Sequence, residues 1–351
     1  MEKSINDSTM AIGIEALKSE IKDCITMREP VGIVGPPACG KSDAVLQASE
    51  ELEYDLLVTH PVCDESIDYK GMPAIVEGKD GKEGSFLPFG HLKKMIDAVR
   101  PLIVFVDDIG QSQRMVQAAL MQLFLNRAIN GRAISEHVSF AWASNRVGDR
   151  AGADAGLLEP LKSRSVIYHV EPDVHEWIKW GLTPVENGGG GQPPVLCAFM
   201  RFQPQLFYNF EATKDMVNTP SARGWARVGR FVNNGMKQLV KYAGCVGTGA
   251  AAQFAGFERT WGKLPKMETI VMNPEGAKVP EELDVKYAVS GAVAAYANKQ
   301  NIDQLFKYAN RLPKEFQVTL VKDMIIRDES LQETNAFETW ICENTDVSFG
   351  T

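Results

Sequence analysis

The run Gly35-Pro-Pro-Ala-Cys-Gly-Lys-Ser42 constrains this chain more than any other feature. It fits G-x-x-x-x-G-K-[ST], a pattern whose glycines let successive backbone N–H groups wrap phosphate oxygens while the following helix turns the positive end of its dipole to the same anion. The pattern requires a strand before it and a helix after it. Val31 to Val34 is a short apolar run ending at the first glycine, and Ser42 to Leu52 has helical spacing. The candidate phosphate-binding residues are therefore Gly35, Pro36, Pro37, Ala38, Cys39, Gly40, Lys41 and Ser42. Lys41 is placed for the β- and γ-phosphates and the Ser42 hydroxyl for a magnesium ion. A glycine turn that merely precedes a lysine is the plain alternative, and the strand and helix on either side weigh against it.

Two further strands end in polar groups suited to the same chemistry. Leu102-Ile-Val-Phe-Val-Asp107-Asp108 is apolar until two carboxylates close it. Asp107 is the candidate metal-side ligand, acting through coordinated water, and Asp108 the candidate acid that polarises an attacking water. Val138-Ser-Phe-Ala-Trp-Ala-Ser-Asn145 ends in an amide, which could orient that water without adding charge if its strand lies beside the acidic one. Each of these residues could instead simply start a turn; their order along the chain after the glycine loop favours the site.

Apolar runs at Asp55 to Thr59 and Val166 to Val170 complete a set of five candidate strands, with helical patterns between them, including Gln111 to Asn126. Ile12, Ile14, Leu17, Ile21 and Ile25 suit one amphipathic helix leading into the first strand. This alternation predicts a five-stranded parallel α/β layer over 1–171, with ligand at the carboxyl ends of the strands. From Pro172 the pattern changes. Gly188 to Gly191 with Pro193 and Pro194 reads as a flexible break, and Arg227 to Tyr242, Val289 to Ala297 and Phe316 to Ile326 lack strand alternation. The expectation for 172–351 is a mostly helical second domain. Trp177, Trp180, Trp225 and Trp261 read as core or interface aromatics.

A net charge of −8 argues against a chain-wide grip on nucleic acid, although a local basic channel would not show in that sum. The six cysteines have no metal-ligand or disulfide spacing and read as reduced thiols. No stretch reaches the ~18 apolar residues that span a bilayer, and Met1 to Met10 lacks an apolar signal core. The expectation is a cytoplasmic protein without a membrane partner.

With those motifs in place, the first half resembles the MoxR branch of the AAA+ ATPases, in its bacterial and phage subgroup, over roughly Ile12 to Val170 and more loosely beyond. Asp68-Tyr-Lys-Gly-Met-Pro73, Gly84-Ser-Phe-Leu-Pro88 and the glutamine- and alanine-rich Gln117-Ala-Ala-Leu-Met-Gln122 are similar to family segments around the acidic strand. Asn145-Arg-Val-Gly-Asp-Arg150 followed by Leu161-Lys-Ser-Arg164 resembles the track from sensor asparagine to arginine finger. The resemblance implies that Arg164 acts on a neighbouring subunit's nucleotide, with Arg146 and Arg150 as further interface candidates. Thr219-Pro-Ser-Ala-Arg-Gly-Trp225 resembles the start of the lid helix, which makes Arg223 the candidate second sensor; Leu312-Pro-Lys-Glu-Phe-Gln-Val318 is similar to a late packing helix. It further implies ATP and Mg2+ as ligands, a homo-oligomeric ring of six, a von Willebrand factor A-domain partner and a protein client to be remodelled.

Two departures stand out. Asp108 takes the place of the family's usual glutamate, one methylene shorter, which bears on the hydrolysis rate. Cys39 stands in the phosphate loop where glycine or threonine is usual. The start of a helix lowers a thiol's pKa and would make Cys39 oxidation-sensitive, whereas a small side chain tolerated in a turn would be inert. Two other functions stay open from the residues alone: a nucleic-acid motor or loader, for which Lys70, Lys79 and Lys82 could line a pore or simply sit in a solvated loop, and a nucleotide-dependent scaffold that scarcely hydrolyses ATP.

Overall fold

The computed structural model describes residues 10–78, 81–149, 156–210 and 215–344. The chain divides into two compact units, the first ending at Pro172 and the second beginning at Asp173.

In the first unit the strands are β1 (Ala11–Ile12), β2 (Val31–Val34), β3 (Asp55–Thr59), β4 (Met72–Gly78), β5 (Gly81–Leu87), β6 (Leu102–Val106), β7 (Ala128–Ile129), β8 (Arg132–Ala133), β9 (Val138–Ser144) and β10 (Val166–Val170). Six of them form one sheet in the order β1-β10-β2-β9-β6-β3, every neighbouring pair parallel. The five expected strands are all in it. The sixth, β1, is an edge pair read in sequence as the opening of a helix; Gly13 is the N-cap residue, in extended conformation, and the helix proper runs Ile14–Met27.

Burial on both faces explains the apolar runs. Along β6, Ile103 and Phe105 pack with Leu17, Ile21, Ile25 and Val45 on one side of the sheet, while Val104 and Val106 pack with Leu92, Met95, Leu120 and Leu123 on the other. β9 divides likewise, Ala141 and Ala143 against Phe140 and Trp142, and all seven of its residues are buried, as a central strand covered by helices on two sides requires. Gly32 of β2 is needed for this packing, because a Cβ there would stand 2.1 Å from the Trp142 ring.

The two antiparallel pairs were not expected. β4 and β5 make a hairpin between β3 and β6, in which Lys82 faces Glu77 across the strands. Asp68 of the expected D-x-x-G segment accepts from the N-cap residue Glu65 of the short helix Ser66–Lys70, and Gly71 ends that helix at φ +88°. Lys79 and Arg150 lie outside the described residues.

In the second unit the described residues contain no strand. Its helices run from Val174–Leu182 to Asn335–Glu343 and enclose two apolar cores, one around Phe199, Trp225 and Phe254, the other around Leu305, Tyr308, Leu320 and Trp340. Trp177 and Trp225 are buried, and Trp180 and Trp261 pack half-buried against the first core. The glycine run expected as a flexible break is pinned: Gly190 N–H donates to Trp180 O, Gly191 N–H to Thr183 O and Gln192 N–H to Gly181 O. The helix expected over 227–242 is two, Ala222–Asn233 and Leu239–Val246, separated by a turn in which Gly235 takes φ +71°.

Candidate functional site

The glycine loop leaves the carboxyl end of β2 and enters the helix Lys41–Glu51. Gly40 is the N-cap residue at φ +111°, a conformation only glycine adopts freely, and no side chain caps this helix start. An uncapped helix amino terminus behind a glycine turn is a site for phosphate oxygens. Lys41 is buried, and its Nζ donates to Gly35 O at 3.0 Å, to Pro36 O at 2.9 Å and to Asn145 Oδ1 at 2.9 Å.

Strand order brings the other groups there. β9 lies between β2 and β6, so Asn145, just past its end, sits between the glycine loop and the two aspartates. Ser42 Oγ donates to Asp107 Oδ2 at 3.0 Å, and Asn145 Nδ2 stands 3.4 Å from Asp108 Oδ1. Asp107 N–H donates to Thr59 O, which fastens the acidic turn to the end of β3. A hydroxyl and a carboxylate in mutual hydrogen-bond contact form a hard-oxygen donor pair, which suits magnesium, an ion that takes its remaining ligands from phosphates and water. Asp108 has φ +54°, ψ +38°, the left-handed region that aspartate tolerates better than most residues, and it opens the 3-10 turn Ile109–Gln111.

Burial decides between the two readings of Cys39. Its thiol is buried, and desolvation pushes its pKa up in spite of Lys41 nearby, so the helix start does not make it a ready thiolate. The inert small side chain is the reading that fits.

The arginines divide. Arg146 is engaged internally, by Asp149 at 2.5 Å and by Glu171. Arg164 follows the short helix Glu159–Lys162; its Nη1 donates to Pro160 O, and its buried Nε has no hydrogen-bond partner among the described residues. Arg223 belongs to the second unit, exposed in the first turn of Ala222–Asn233, whose N-cap Ser221 accepts from Gly224 N–H. Lys41, Ser42, Asp107, Asp108 and Asn145 are thus brought together at the strand ends, whereas Arg164 and Arg223 stand on other elements.

One residue was passed over as part of a helix. Gln117 is completely buried, and its amide bridges the turn after Asp108 and the segment that leads to Arg164. A glutamine in helical phase with the buried Leu120 and Phe124 was the available signal, since a buried amide must find partners.

No protein-family model matches the chain, and no curated protein matches it. Among solved structures it is similar to the RuvB Holliday junction branch migration motor of Thermotoga maritima, with a TM-score of 0.35 and 14% identity over 94% of this chain and 86% of that one. It is also similar to NtrX from Brucella abortus, with a TM-score of 0.37 and 12% identity over 90% and 69% of the two chains. At such identities and scores neither likeness reaches substrate or partner, and function has to be read from the site itself.

Proposed function

We propose that this chain is a magnesium-dependent ATP hydrolase of the AAA+ type, similar to the MoxR branch, which works as a ring of six and remodels a protein client. The observation that carries the reading is the cluster at the strand ends: Ser42 Oγ on Asp107 at 3.0 Å and Lys41 Nζ on Asn145 at 2.9 Å, behind an uncapped helix start. Gly35 to Ser42 hold the triphosphate, with Lys41 leaving its carbonyl partners for the β- and γ-oxygens. Ser42 and Asp107, the latter through coordinated water, would hold magnesium, which would supply positive charge against the phosphates. Asp108 draws the proton from an attacking water that Asn145 orients. Arg164 of the neighbouring subunit stabilises charge on the transferring group, and Arg223 senses the γ-phosphate from the lid. A phosphate contact thereby becomes ring geometry. A von Willebrand factor A-domain protein is the partner that this branch implies, in the cytoplasm.

The test is steady-state turnover of Mg-ATP by wild type and Lys41→Ala, with and without a von Willebrand factor A-domain protein. Turnover lost about 100-fold or more in the variant fits the reading, since losing a donor to developing charge costs on that order. Equal turnover in both proteins contradicts it.

A second reading has its own observation. From Met216 to Phe257 the sequence has no acidic residue, and Arg223, Arg227 and Arg230 are all exposed on one face of the helix Ala222–Asn233. Lys237 and Lys241 follow, Lys241 over the Phe231 ring. In an acidic chain such a face suits a phosphodiester backbone, as in a nucleic-acid motor. Severalfold stimulation of turnover by single-stranded DNA, abolished in Arg227→Glu/Arg230→Glu, would favour the motor over the chaperone.

A further inference from the structure

Between the acidic turn and the candidate arginine finger lies a single amide. Gln117, fully buried in the helix Arg114–Asn126, donates from Nε2 to Gly156 O at 3.0 Å and to Ser112 O at 3.3 Å, with Ile109 O at 3.5 Å. Its Oε1 accepts from Leu158 N–H at 3.0 Å. Ile109 and Ser112 bound the turn that Asp108 opens, and Ser112 N–H and Oγ both return to Ile109 O. Leu158 is the N-cap residue of the helix Glu159–Lys162, and no side chain of that helix caps its start. Leu161, within it, is buried in the same core as Val116 and Leu120, and Trp142 Nε1 of β9 donates to Ser165 Oγ at 2.8 Å just past Arg164, so the finger segment is held by apolar contacts, by β9 and, on the side of the acidic turn, by the Gln117 amide.

A glutamine amide carries a donor and an acceptor in fixed relation, so it can hold two segments in one register, which an apolar side chain of equal volume cannot. The shorter bonds face the finger side, at Gly156 and Leu158; the longer ones face the acidic turn.

We infer that Gln117 is a positioning residue that sets Arg164 for the neighbouring subunit and ties that setting to the turn carrying Asp108; this assignment rests on the neighbour-facing role proposed for Arg164. The acid of one active site and the finger offered to the next are thereby joined within a protomer through one side chain. A shift of the turn on nucleotide turnover reaches Gly156 and Leu158 through the amide, which is a physical route by which one site in a ring informs the next.

The test uses mixed rings. Protomers with Arg164→Ala keep a competent nucleotide site but offer no finger, and protomers with Lys41→Ala lack the site but offer the finger, so mixing the two should restore ATP turnover. Gln117→Met is then added to one partner at a time, after checking by gel filtration that the variants still mix. Placed in the Lys41→Ala partner, it should cut the restored turnover about 100-fold, the scale of a misplaced catalytic group, and placed in the Arg164→Ala partner it should cut it several-fold less. In all-Gln117→Met rings, kcat should fall by a similar factor while KM for ATP stays within about threefold. Gln117→Glu, which keeps the acceptor for Leu158 N–H, should retain more of the turnover than Gln117→Met. Equal losses from either partner, or a larger loss on the nucleotide-site side, overturn the assignment and leave the finger intact. No restoration in the plain mixture of Arg164→Ala and Lys41→Ala means that Arg164 does not act on a neighbour, and the assignment falls with it.

Discussion

Lys41 Nζ stands 2.9 Å from Asn145 Oδ1, a contact made across 104 residues of sequence by the insertion of β9 between the glycine-loop strand and the acidic strand. On its other side the same amide faces Asp108 at 3.4 Å, so one asparagine touches both the candidate phosphate-binding lysine and the candidate water-activating acid. Replacing it by alanine removes the proposed orienting group and leaves the glycine loop in place. Asn145→Ala is expected to lower kcat about 10- to 100-fold while nucleotide affinity changes less than about threefold, as fits a group acting chiefly in the transition state. Stopped-flow binding beside steady-state turnover checks this; a proportionate loss of affinity would place Asn145 in ground-state binding.

Asp108 carries the acid in a left-handed backbone at φ +54°. Asp108→Asn keeps the shape and the tolerated conformation but removes the proposed base. Turnover should fall about 100-fold or more with nucleotide binding kept, within the range that general-base groups supply. In Asp108→Glu the added methylene tests reach: a rise in kcat over wild type marks the natural enzyme as a motor slowed by its short acid. Turnover in wild type no higher than in Lys41→Ala would mark a static scaffold.

For Cys39 the sign of the shift decides. Burial raises its thiol pKa, so the thiolate is scarcer near neutrality than in an exposed cysteine. Cys197 is pushed up to about 12 by burial. Iodoacetamide at pH 8 should modify the exposed Cys63 and Cys342 well before Cys39 or Cys197, by peptide mass mapping. Peroxide should then affect ATP turnover equally in wild type and Cys39→Ala. Selective protection by Cys39→Ala would restore the redox role.

Among the described residues of the second unit, Arg201 Nη2 and Nε meet the two carboxylate oxygens of Asp323, with Asp323 only 5% exposed. Arg201→Met strands the carboxylate in the core and should cost about 3–5 kcal/mol of stability in urea unfolding. Arg201→Met with Asp323→Leu should recover most of that loss, because two apolar groups replace two charges together. A double variant as unstable as the single one would show that the pair contributes more than its mutual neutralisation.

Much of this was legible from the residues. The five long strands showed because parallel strands covered on both faces are apolar throughout, and Val31 to Val34 or Leu102 to Val106 have no other easy explanation. The glycine loop and the carboxylates that close β6 were visible because each is a local pattern. What escaped was set by tertiary contact. The edge strand β1 has two residues and is defined by its pairing with β10. The β4–β5 hairpin carries no clear alternation, with Ile75 largely exposed, so no periodicity marked it. The break at Gly235 divides two helices whose apolar residues continue across it. A motif shows the place of Cys39 beside a helix start and conceals its burial, so the residues alone left its two readings open, and the bridging role of Gln117 depends on partners 39 and 41 residues away.

The central claim is that Lys41, Ser42 and Asp107 form one receptor for a triphosphate and its metal ion. Calorimetric titration of ATP into wild type, Lys41→Ala and Asp107→Asn, with and without magnesium, tests it most directly. The account predicts tight binding by wild type with magnesium, binding weakened about 10-fold or more in Lys41→Ala, as expected when a charged phosphate contact is lost, and an affinity in Asp107→Asn that no longer depends on the metal. Wild type that takes up no ATP with magnesium, or binding that all three proteins share equally, would contradict it.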